Sequence, residues 1–349
     1  MFEQHTAIIR KIARLTINSR SVWNLTHENP DGDTIGSALA IQHGLKSLRR
    51  QVRTFFSEPM PRAYTFLPGA GEVEVTAQLP DQPPDLIFVS DNATFERLGG
   101  VYVAELYRLG IYPAPDERHR AGHTTLINID HHPGNELYGD LNLVIPEAAA
   151  VGEIVYAIFR QLRLPLPREA ATCLYAAILT DTGKFTYSNV TLRTLEIAAE
   201  LVRAGVEPHR VVEGIYHSQS LNQLRLLGKV LDNLTINEEL DYCYSWVTPE
   251  MLGGFNSELS ETEYIVDTLK TLGKPKVCLL FKVIGEGVVR VSVRSRNDFD
   301  SSELAGMFGG GGHYAASGFR FRGTLQEAIA AVELAMRDLR ENPGKPKGA

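Results

Sequence analysis

The chain has few cysteines and no long apolar run. Its 349 residues include only three cysteines, Cys173, Cys243 and Cys278, which lie far apart. Each lies in an apolar stretch, so we expect buried free thiols in a reducing compartment rather than a disulfide framework. Without a run of about 18 apolar residues, no transmembrane helix is expected. The N-terminus lacks a basic segment followed by an apolar one, so no signal peptide is expected and a cytoplasmic location is favoured.

The chain also lacks an excess of positive charge. Its 35 lysines and arginines and 42 aspartates and glutamates give a net charge of −7. Long duplex nucleic acid is therefore a disfavoured partner, because gripping it requires a basic surface. A short phosphorylated substrate is not excluded. A kinase is disfavoured too, because Gly183-Lys184-Phe185 lacks both the upstream glycine and the Ser or Thr of a Walker A motif.

Acids and histidines follow the ends of predicted strands. The apolar run 124–129 ends in Asp130-His131-His132, and other strands are predicted at 22–26, 52–56, 85–90 and 141–145. Strands that alternate with helices predict an α/β fold with a doubly wound, mainly parallel sheet, whose ligands bind beyond the carboxyl ends of the strands. The side chains expected at this edge are His27, Asp31, Asp33, Asp91, Asp130, His131 and His132, and Asp181 ends a later apolar helix.

A smaller α/β domain with a mixed sheet is predicted after a helical connector. The expected boundaries are 1–190 for the first domain, 191–235 for the connector, 236–341 for the second domain and 342–349 for a loose tail. The backbone N–H groups of Gly309 to Gly312 can cradle a phosphate, although a plain flexible loop is the alternative. Arg294 and Arg296 would share one face of the strand predicted at 288–295.

The clustered acids predict metal ions. Converging carboxylates repel one another and have raised pKa values unless cations neutralise them. Carboxylate and imidazole ligands favour Mn²⁺, with Mg²⁺, Co²⁺ or Fe²⁺ as alternatives. Two divalent ions about 3.5–4 Å apart would clamp a phosphate for in-line attack by activated water. In the alternative interpretation the acids cap helices, as Asp33 or Thr34 can do before the helix at 34–48.

Taken together, the motifs resemble those of the DHH–DHHA1 phosphoesterases over nearly the whole chain. The motifs that carry the resemblance are His27-x-x-x-Asp31-x-Asp33, Asp91, Asp130-His131-His132, Asp181-Thr182-Gly183, Val291 to Ser295, and Gly310-Gly311-Gly312-His313. The likeness is greatest to the nano-RNase/pAp phosphatase group. One departure is a long segment around Tyr102 to His123, which looks like an insertion.

The resemblance implies a role for each matched residue. One metal would take His27, Asp31 and Asp91, and the other would take Asp33, Asp91, His131 and Asp181, with Asp91 as the bridge. Asp130 would orient a ligand imidazole. His132 would contact the scissile phosphate and protonate the leaving oxygen. Arg294, Ser295, Gly310, Gly311, Gly312 and His313 would hold the other end of the substrate.

The expected activity is metal-dependent hydrolysis of very short RNAs to mononucleotides and of 3′-phosphoadenosine 5′-phosphate (pAp) to AMP and phosphate. A phosphodiesterase for cyclic di-AMP or the linear dinucleotide pApA is the alternative within the enzyme class. A nucleotide sensor without catalysis is the alternative from another class. A homodimer is left open.

Overall fold

The computed structural model describes residues 2–112, 124–163, 166–217, 219–285, 287–296 and 299–341. The chain forms two compact units, residues 1–218 and 219–349. The second half of the predicted insertion at 102–123, which is residues 113–123, and the predicted tail at 342–349 lie outside the described residues. None of the helices in the described ranges has the length and apolar character that crossing a bilayer requires.

The first unit contains a six-stranded sheet in which every neighbouring pair is parallel. Its strands are β1 (Ser21–Leu25), β2 (Gln51–Phe56), β3 (Glu74–Val75), β4 (Leu86–Ser90), β5 (Thr125–Asp130) and β6 (Leu141–Val144). Their order is β3-β2-β1-β4-β5-β6. The predicted doubly wound parallel sheet is confirmed, with β3 as an additional two-residue strand at one edge.

Helices cover both faces of this sheet. They are α1 (Thr6–Asn18), α2 (Gly32–Ser47), α3 (Gly99–Arg108), α4 (Val151–Leu162), α5 (Arg168–Asp181), α6 (Leu192–Arg203) and α7 (Pro208–Tyr216). Tyr102 and Leu106 of α3 pack on one face with Trp23 of β1. The opposite face packs against α1, α2 and α4, with residues such as Val22 and Ile35 in its core, and α5 packs on α2 and α4. Burial on both faces explains why the strands are nearly continuous apolar runs.

The start of α2 and its packing on α5 position part of the site. Asp31 is the N-cap, because its Oδ1 accepts the N–H groups of Asp33 and Thr34 at 3.1 Å each. The expectation that Asp33 or Thr34 caps this helix is therefore wrong. A Cβ on Gly36 would lie 2.5 Å from the carbonyl oxygen of Cys173, so only glycine allows α2 to approach α5 this closely.

The second unit contains a mixed six-stranded sheet in the order β11-β12-β10-β9-β8-β7. Its strands are β7 (Thr235–Asn237), β8 (Tyr242–Val247), β9 (Val277–Gly285), β10 (Val288–Ser295), β11 (Gly311–His313) and β12 (Ala316–Arg322). Its helices are α8 (Leu221–Asp232), α9 (Pro249–Gly254), α10 (Glu263–Leu269), α11 (Ser301–Gly306) and α12 (Leu325–Glu341). β8 and β9 are parallel and the other pairs antiparallel, which confirms the predicted mixed sheet.

Three local expectations are corrected or confirmed. The glycine loop is instead largely the edge strand β11, paired with the unpredicted β12. The helical connector expected over 191–235 consists of three helices, α6, α7 and α8, and Ser220 caps α8 by accepting the N–H of Gln223. All three cysteines are free and buried, as predicted.

Candidate metal centre

The predicted acids and histidines meet at the carboxyl ends of three neighbouring strands. His27 follows β1, Asp91 follows β4, and His131 and His132 follow β5. The remaining members come from helix ends: Asp31 and Asp33 from the start of α2, and Asp181 from the end of α5. Most of these side chains are buried, whereas Asp31 is exposed and Asp181 half-buried.

His27, Asp31 and Asp91 form one group of potential ligands. Each offers one atom, and these atoms lie within 4.8 Å of one another. His27 Nδ1 donates to the carbonyl oxygen of Glu28 at 2.7 Å, so Nε2 is the nitrogen left for the site. This Nε2 lies 3.8 Å from Asp91 Oδ2.

Asp33, His131 and Asp181 form a second group of the same kind. His131 Nδ1 donates to the carbonyl oxygen of Ala148 at 3.0 Å, which directs Nε2 toward the acids. His131 Nε2 lies 3.4 Å from Asp181 Oδ2, 3.9 Å from Asp33 Oδ2 and 3.6 Å from Asp91 Oδ1. Asp91 therefore presents Oδ2 to the first group and Oδ1 to the second, as a bridging carboxylate would.

The backbone of Asp91 is in the left-handed region, at φ +60°. Its N–H donates to the carbonyl oxygen of Ile129 at 2.9 Å, which ties this turn to β5. A non-glycine residue in such a conformation costs about 1–3 kcal/mol, and strain of this kind is concentrated at functional sites. Here it turns the Asp91 carboxylate toward both groups.

Asp33 also holds the start of α4. Its Oδ2 accepts the N–H of Val151 at 2.6 Å, and its Oδ1 accepts the N–H of Gly152 at 3.0 Å and the hydroxyl of Ser37 at 3.1 Å. These N–H groups have no partner within their own helix. The interpretation that the acids bind helix ends is thus correct for both Asp33 and Asp31, and it does not exclude a role beside a metal.

Asp130 contacts a different imidazole from the one expected. Its Oδ1 accepts Nδ1–H of His132 at 2.8 Å, whereas the expected partner was the imidazole of a metal ligand, and His132 was not expected to be one. Its Oδ2 accepts the amide of Asn135 at 2.6 Å. Asp91, His131 and His132 also lie close enough together for an ion. However, the bond to Asp130 occupies His132 Nδ1, the atom nearest Asp91, at 3.7 Å.

Comparison with known proteins assigns this arrangement to a family. Residues 21–178 match the model of the DHH family, N-terminal domain, and residues 241–338 match the DHHA1 domain. The bifunctional oligoribonuclease and PAP phosphatase NrnA of Thermus thermophilus is 30% identical over 319 residues, which cover 91% of this chain and 89% of that protein. The chain belongs to the DHH–DHHA1 phosphoesterase family. It is therefore a metal-dependent phosphoesterase.

Other relatives match over similar lengths. The NrnA protein of Bacillus subtilis is 28% identical over 84% of this chain and 86% of its own. The crystal structure of an exopolyphosphatase-related protein from Bacteroides fragilis superposes with a TM-score of 0.84 at 25% identity. That match covers 96% of this chain and 97% of the other, so both units have counterparts in it.

The three buried aspartates of the DHH site have strongly shifted pKa values. Burial raises the pKa of Asp33 well above its ordinary value, and Asp91 and Asp181 raise it further. Burial likewise raises the pKa of Asp181 to about 7. Burial acts to raise the pKa of Asp91 too, but His131 and His27 outweigh it and hold that pKa well below its usual range.

The residues present fit divalent ions. Asp181 Oδ2 is buried and accepts no hydrogen bond from the part of the chain that the structure describes. Within the same ranges, Asp33, Asp91 and Asp181 form ion pairs with histidines alone. Buried carboxylates whose cationic neighbours are imidazoles alone need further positive charge, and oxygen and imidazole ligands suit divalent metal ions.

The predicted residues of the DHHA1 domain lie around β12. Arg294 of β10 and His313 of β11 both pair with Ala316, from opposite sides of that strand. Arg294 Nε donates to Asp267 Oδ1 at 2.8 Å. The buried Ser295 donates its hydroxyl to the carbonyl oxygen of Tyr314 at 2.9 Å, a structural contact.

The three glycines at 310–312 differ in the space that surrounds them. A Cβ on Gly310 would lie 2.3 Å from the carbonyl oxygen of Gly318. Gly312 has φ +142° and would meet the backbone of β12. Both are explained by strand pairing. Gly311 has open space around it, so it is the glycine of this motif that a ligand can approach.

Sequence reasoning missed the polar residues that support the site. They include Thr34, Asn128, Asn135, Tyr138 and the carbonyl group of Ala148. Asn135 Nδ2 also donates to Asn128 Oδ1 at 2.8 Å, and Asn128 Nδ2 donates to Tyr138 Oη at 2.9 Å, so a chain of hydrogen bonds leads from Tyr138 through Asn128 and Asn135 to Asp130. Asn135 lies only five positions after Asp130, and that proximity was the available clue.

Proposed function

We propose that this phosphoesterase hydrolyses very short RNAs to mononucleotides and pAp to AMP and phosphate. The observation that carries the proposal is the 30% identity to a bifunctional oligoribonuclease and PAP phosphatase, which extends over 91% of the chain and both domains. The net charge of −7 agrees with a short substrate rather than a long polynucleotide.

His27, Asp31 and Asp91 would hold one divalent ion, and Asp33, Asp91, His131 and Asp181 the other. The two groups of ligand atoms and the two-sided position of Asp91 support this assignment. Mn²⁺ is favoured by the mixture of carboxylates and imidazoles. Two such ions would lower the pKa of water toward neutrality and offset the charge of the phosphate.

His132 would act on the phosphate rather than on a metal. Its Nδ1–H is held by Asp130, which fixes the ring and leaves Nε2 to carry a proton for the leaving oxygen. The buried Asp130 carboxylate would stabilise the charged imidazole, as the acid of a catalytic dyad does. A positioned general acid contributes about 10²- to 10⁴-fold to the rate.

The DHHA1 domain would bind the other end of the substrate. The open backbone at Gly311 supports this role. Arg294, which also donates to Asp267, would take part in it together with Gly310, Gly312 and His313. Ser295 would contribute indirectly, because its hydroxyl fixes the Tyr314 segment before β12.

A second candidate has an observation of its own. The cyclic-di-AMP phosphodiesterase GdpP of Geobacillus thermodenitrificans is 24% identical over 97% of this chain, although the match covers only 50% of that protein. Cyclic di-AMP and its linear product therefore belong in the same assay.

The test is product release from pAp, a dinucleotide RNA, pApA and cyclic di-AMP, with Mn²⁺ added to chelator-treated protein. Phosphate from pAp and mononucleotides from RNA are expected, and Asp181→Asn should abolish both. Turnover of cyclic di-AMP alone would favour the second candidate. Nucleotide binding without turnover of any substrate would make the protein a sensor.

A further inference from the structure

The hydroxyl of Thr34 lies among the three side chains of the first ligand group. Its Oγ1 is 2.7 Å from His27 Nε2, 2.7 Å from Asp91 Oδ2 and 3.2 Å from Asp31 Oδ1. Thr34 is fully buried in the first turn of α2, so the hydroxyl is held there by the helix backbone.

Capping alone does not explain these contacts. The bond to Asp31 belongs to an ordinary helix start, because Asp31 Oδ1 already accepts the N–H groups of Asp33 and Thr34. The two shorter contacts reach His27, before the helix, and Asp91, which lies 57 positions away, directly after β4. A helix cap requires neither of them.

The hydroxyl cannot satisfy all three neighbours. It has one hydrogen to donate, and both Asp oxygens are acceptors. His27 Nδ1 donates its hydrogen to the carbonyl oxygen of Glu28. Nε2 of the neutral ring is therefore a third acceptor that faces the same hydroxyl. Three potential ligand atoms thus converge on a group that can donate to only one of them, and an ion among them would satisfy all three.

The hydroxyl also keeps two ligand atoms apart. A direct charge-assisted hydrogen bond between His27 and Asp91 would bring nitrogen and oxygen to about 2.7–2.9 Å. They lie 3.8 Å apart, with Thr34 Oγ1 in contact with both. This separation leaves room for a cation between the two atoms, and a direct ion pair would remove that room.

We propose that Thr34 is a positioning residue of the metal site. Before the ion binds, its hydroxyl holds His27 Nε2 and Asp91 Oδ2 at a separation suited to an ion. After the ion binds, the hydroxyl remains beside these atoms as a neutral oxygen ligand. Hard divalent cations such as Mg²⁺ and Mn²⁺ favour oxygen ligands of this kind. The inference concerns ion binding and does not depend on which phosphoester is the substrate.

The experiment is calorimetric titration of the metal-free full-length protein with Mn²⁺, compared among the wild type, Thr34→Val and Thr34→Ser. Valine keeps the volume and removes the hydroxyl, whereas serine keeps the hydroxyl. Thr34→Val should weaken one of the bound ions by about tenfold or more, the effect of losing one hydrogen bond to a charged group. Binding at Asp33, His131 and Asp181 should persist, which also shows that the variant is folded, and Thr34→Ser should restore wild-type affinity.

Thr16→Val is the matched control, because Thr16 is equally buried and, among the residues that the structure describes, its hydroxyl bonds only to the carbonyl oxygen of Ile12, at 2.8 Å. It should bind Mn²⁺ like the wild type. Unchanged affinity in Thr34→Val would overturn the proposal. Tighter binding would also overturn it, because the hydroxyl would then compete with the ion. So would equal losses in the valine and serine variants, because the hydroxyl would not be the cause.

Discussion

Without metal, the first unit should become less stable as the pH rises. The pKa of Asp181 is about 7 in the folded protein against 3.8 for an ordinary aspartate. Between these values the folded state binds a proton that the unfolded chain has released, so the free energy of unfolding falls with increasing pH. A difference of about three pH units corresponds to roughly 4 kcal/mol for this one group.

Two neighbouring groups act in the same direction, Asp33 above its ordinary pKa of 3.8 and His131 above its ordinary pKa of 6.5. The pKa of Asp33 is raised well above its usual value, mainly by burial. Burial lowers the pKa of His131, but the surrounding acids outweigh it and raise that pKa well above its usual value. Each contributes stability that is lost as the pH rises. Asp91 has a lowered pKa, so its contribution disappears only in acid, below the ordinary value of 3.8.

The assay is urea unfolding of the chelator-treated full chain at pH 5.5, 6.5 and 7.5. The protein has two tryptophans, Trp23 in the first unit and Trp246 in the second. A Trp246→Phe variant therefore reports on the first unit by fluorescence. The midpoint should fall with pH, and Mn²⁺ should restore more stability at pH 7.5 than at 5.5, because fewer protons compete for its ligands.

Two substitutions distinguish the pH dependence of stability that arises at the site from any that arises elsewhere in the first unit. Asp181→Asn should flatten part of the pH dependence. Asp85→Asn should not, because Asp85 has a lowered pKa and lies at the opposite end of the sheet, where it accepts the N–H groups of Arg20 and Ser21. Stability that is flat or rises from pH 5.5 to 7.5 without metal would refute the reasoning.

Three further predictions concern single residues. Asp91→Asn should abolish turnover and weaken both ions, because Asp91 faces both ligand groups; near-normal metal content and rate would contradict the bridge. Asn135→Ala should lower kcat roughly tenfold, as expected when Asp130 loses one hydrogen bond, with metal content and KM unchanged; loss of metal instead would refute a role through His132. Arg294→Ala should raise KM for pApA roughly 10- to 150-fold while bis-p-nitrophenyl phosphate is still cleaved; an unchanged KM would remove Arg294 from substrate binding.

The parts of the fold that the sequence predicted were those with strong local patterns. β1, β4 and β5 are short apolar runs that end in polar residues, and these patterns suffice to locate a parallel strand and its functional edge. β11 has no such pattern, because Gly311 and Gly312 form a strand only through pairing with β12. β12 was missed although Phe319 to Arg322 alternate apolar and charged residues. Pairing between distant segments overrides weak local preferences.

The candidate site shows the same division. That the acids and histidines would gather at one edge followed from strand ends and helix starts alone. The imidazole that Asp130 contacts could not be predicted in the same way. The choice between His131 and His132 depends on the directions of the side chains after β5. Thr34 was likewise assigned to a helix cap, since nothing in the sequence places its hydroxyl beside Asp91, 57 residues away.

Asp33 belongs to a ligand group and also binds the start of α4, which affects the choice of an inactive variant. Its carboxylate accepts two backbone N–H groups from α4 and the hydroxyl of Ser37. In Asp33→Asn the new amide would direct hydrogens at one of these donors, so the variant would disturb the junction of α2 and α4 as well as the chemistry. Asp181 Oδ2 accepts no hydrogen bond from the residues described. Asp181→Asn is therefore the better choice for trapping an uncleaved substrate in a crystal.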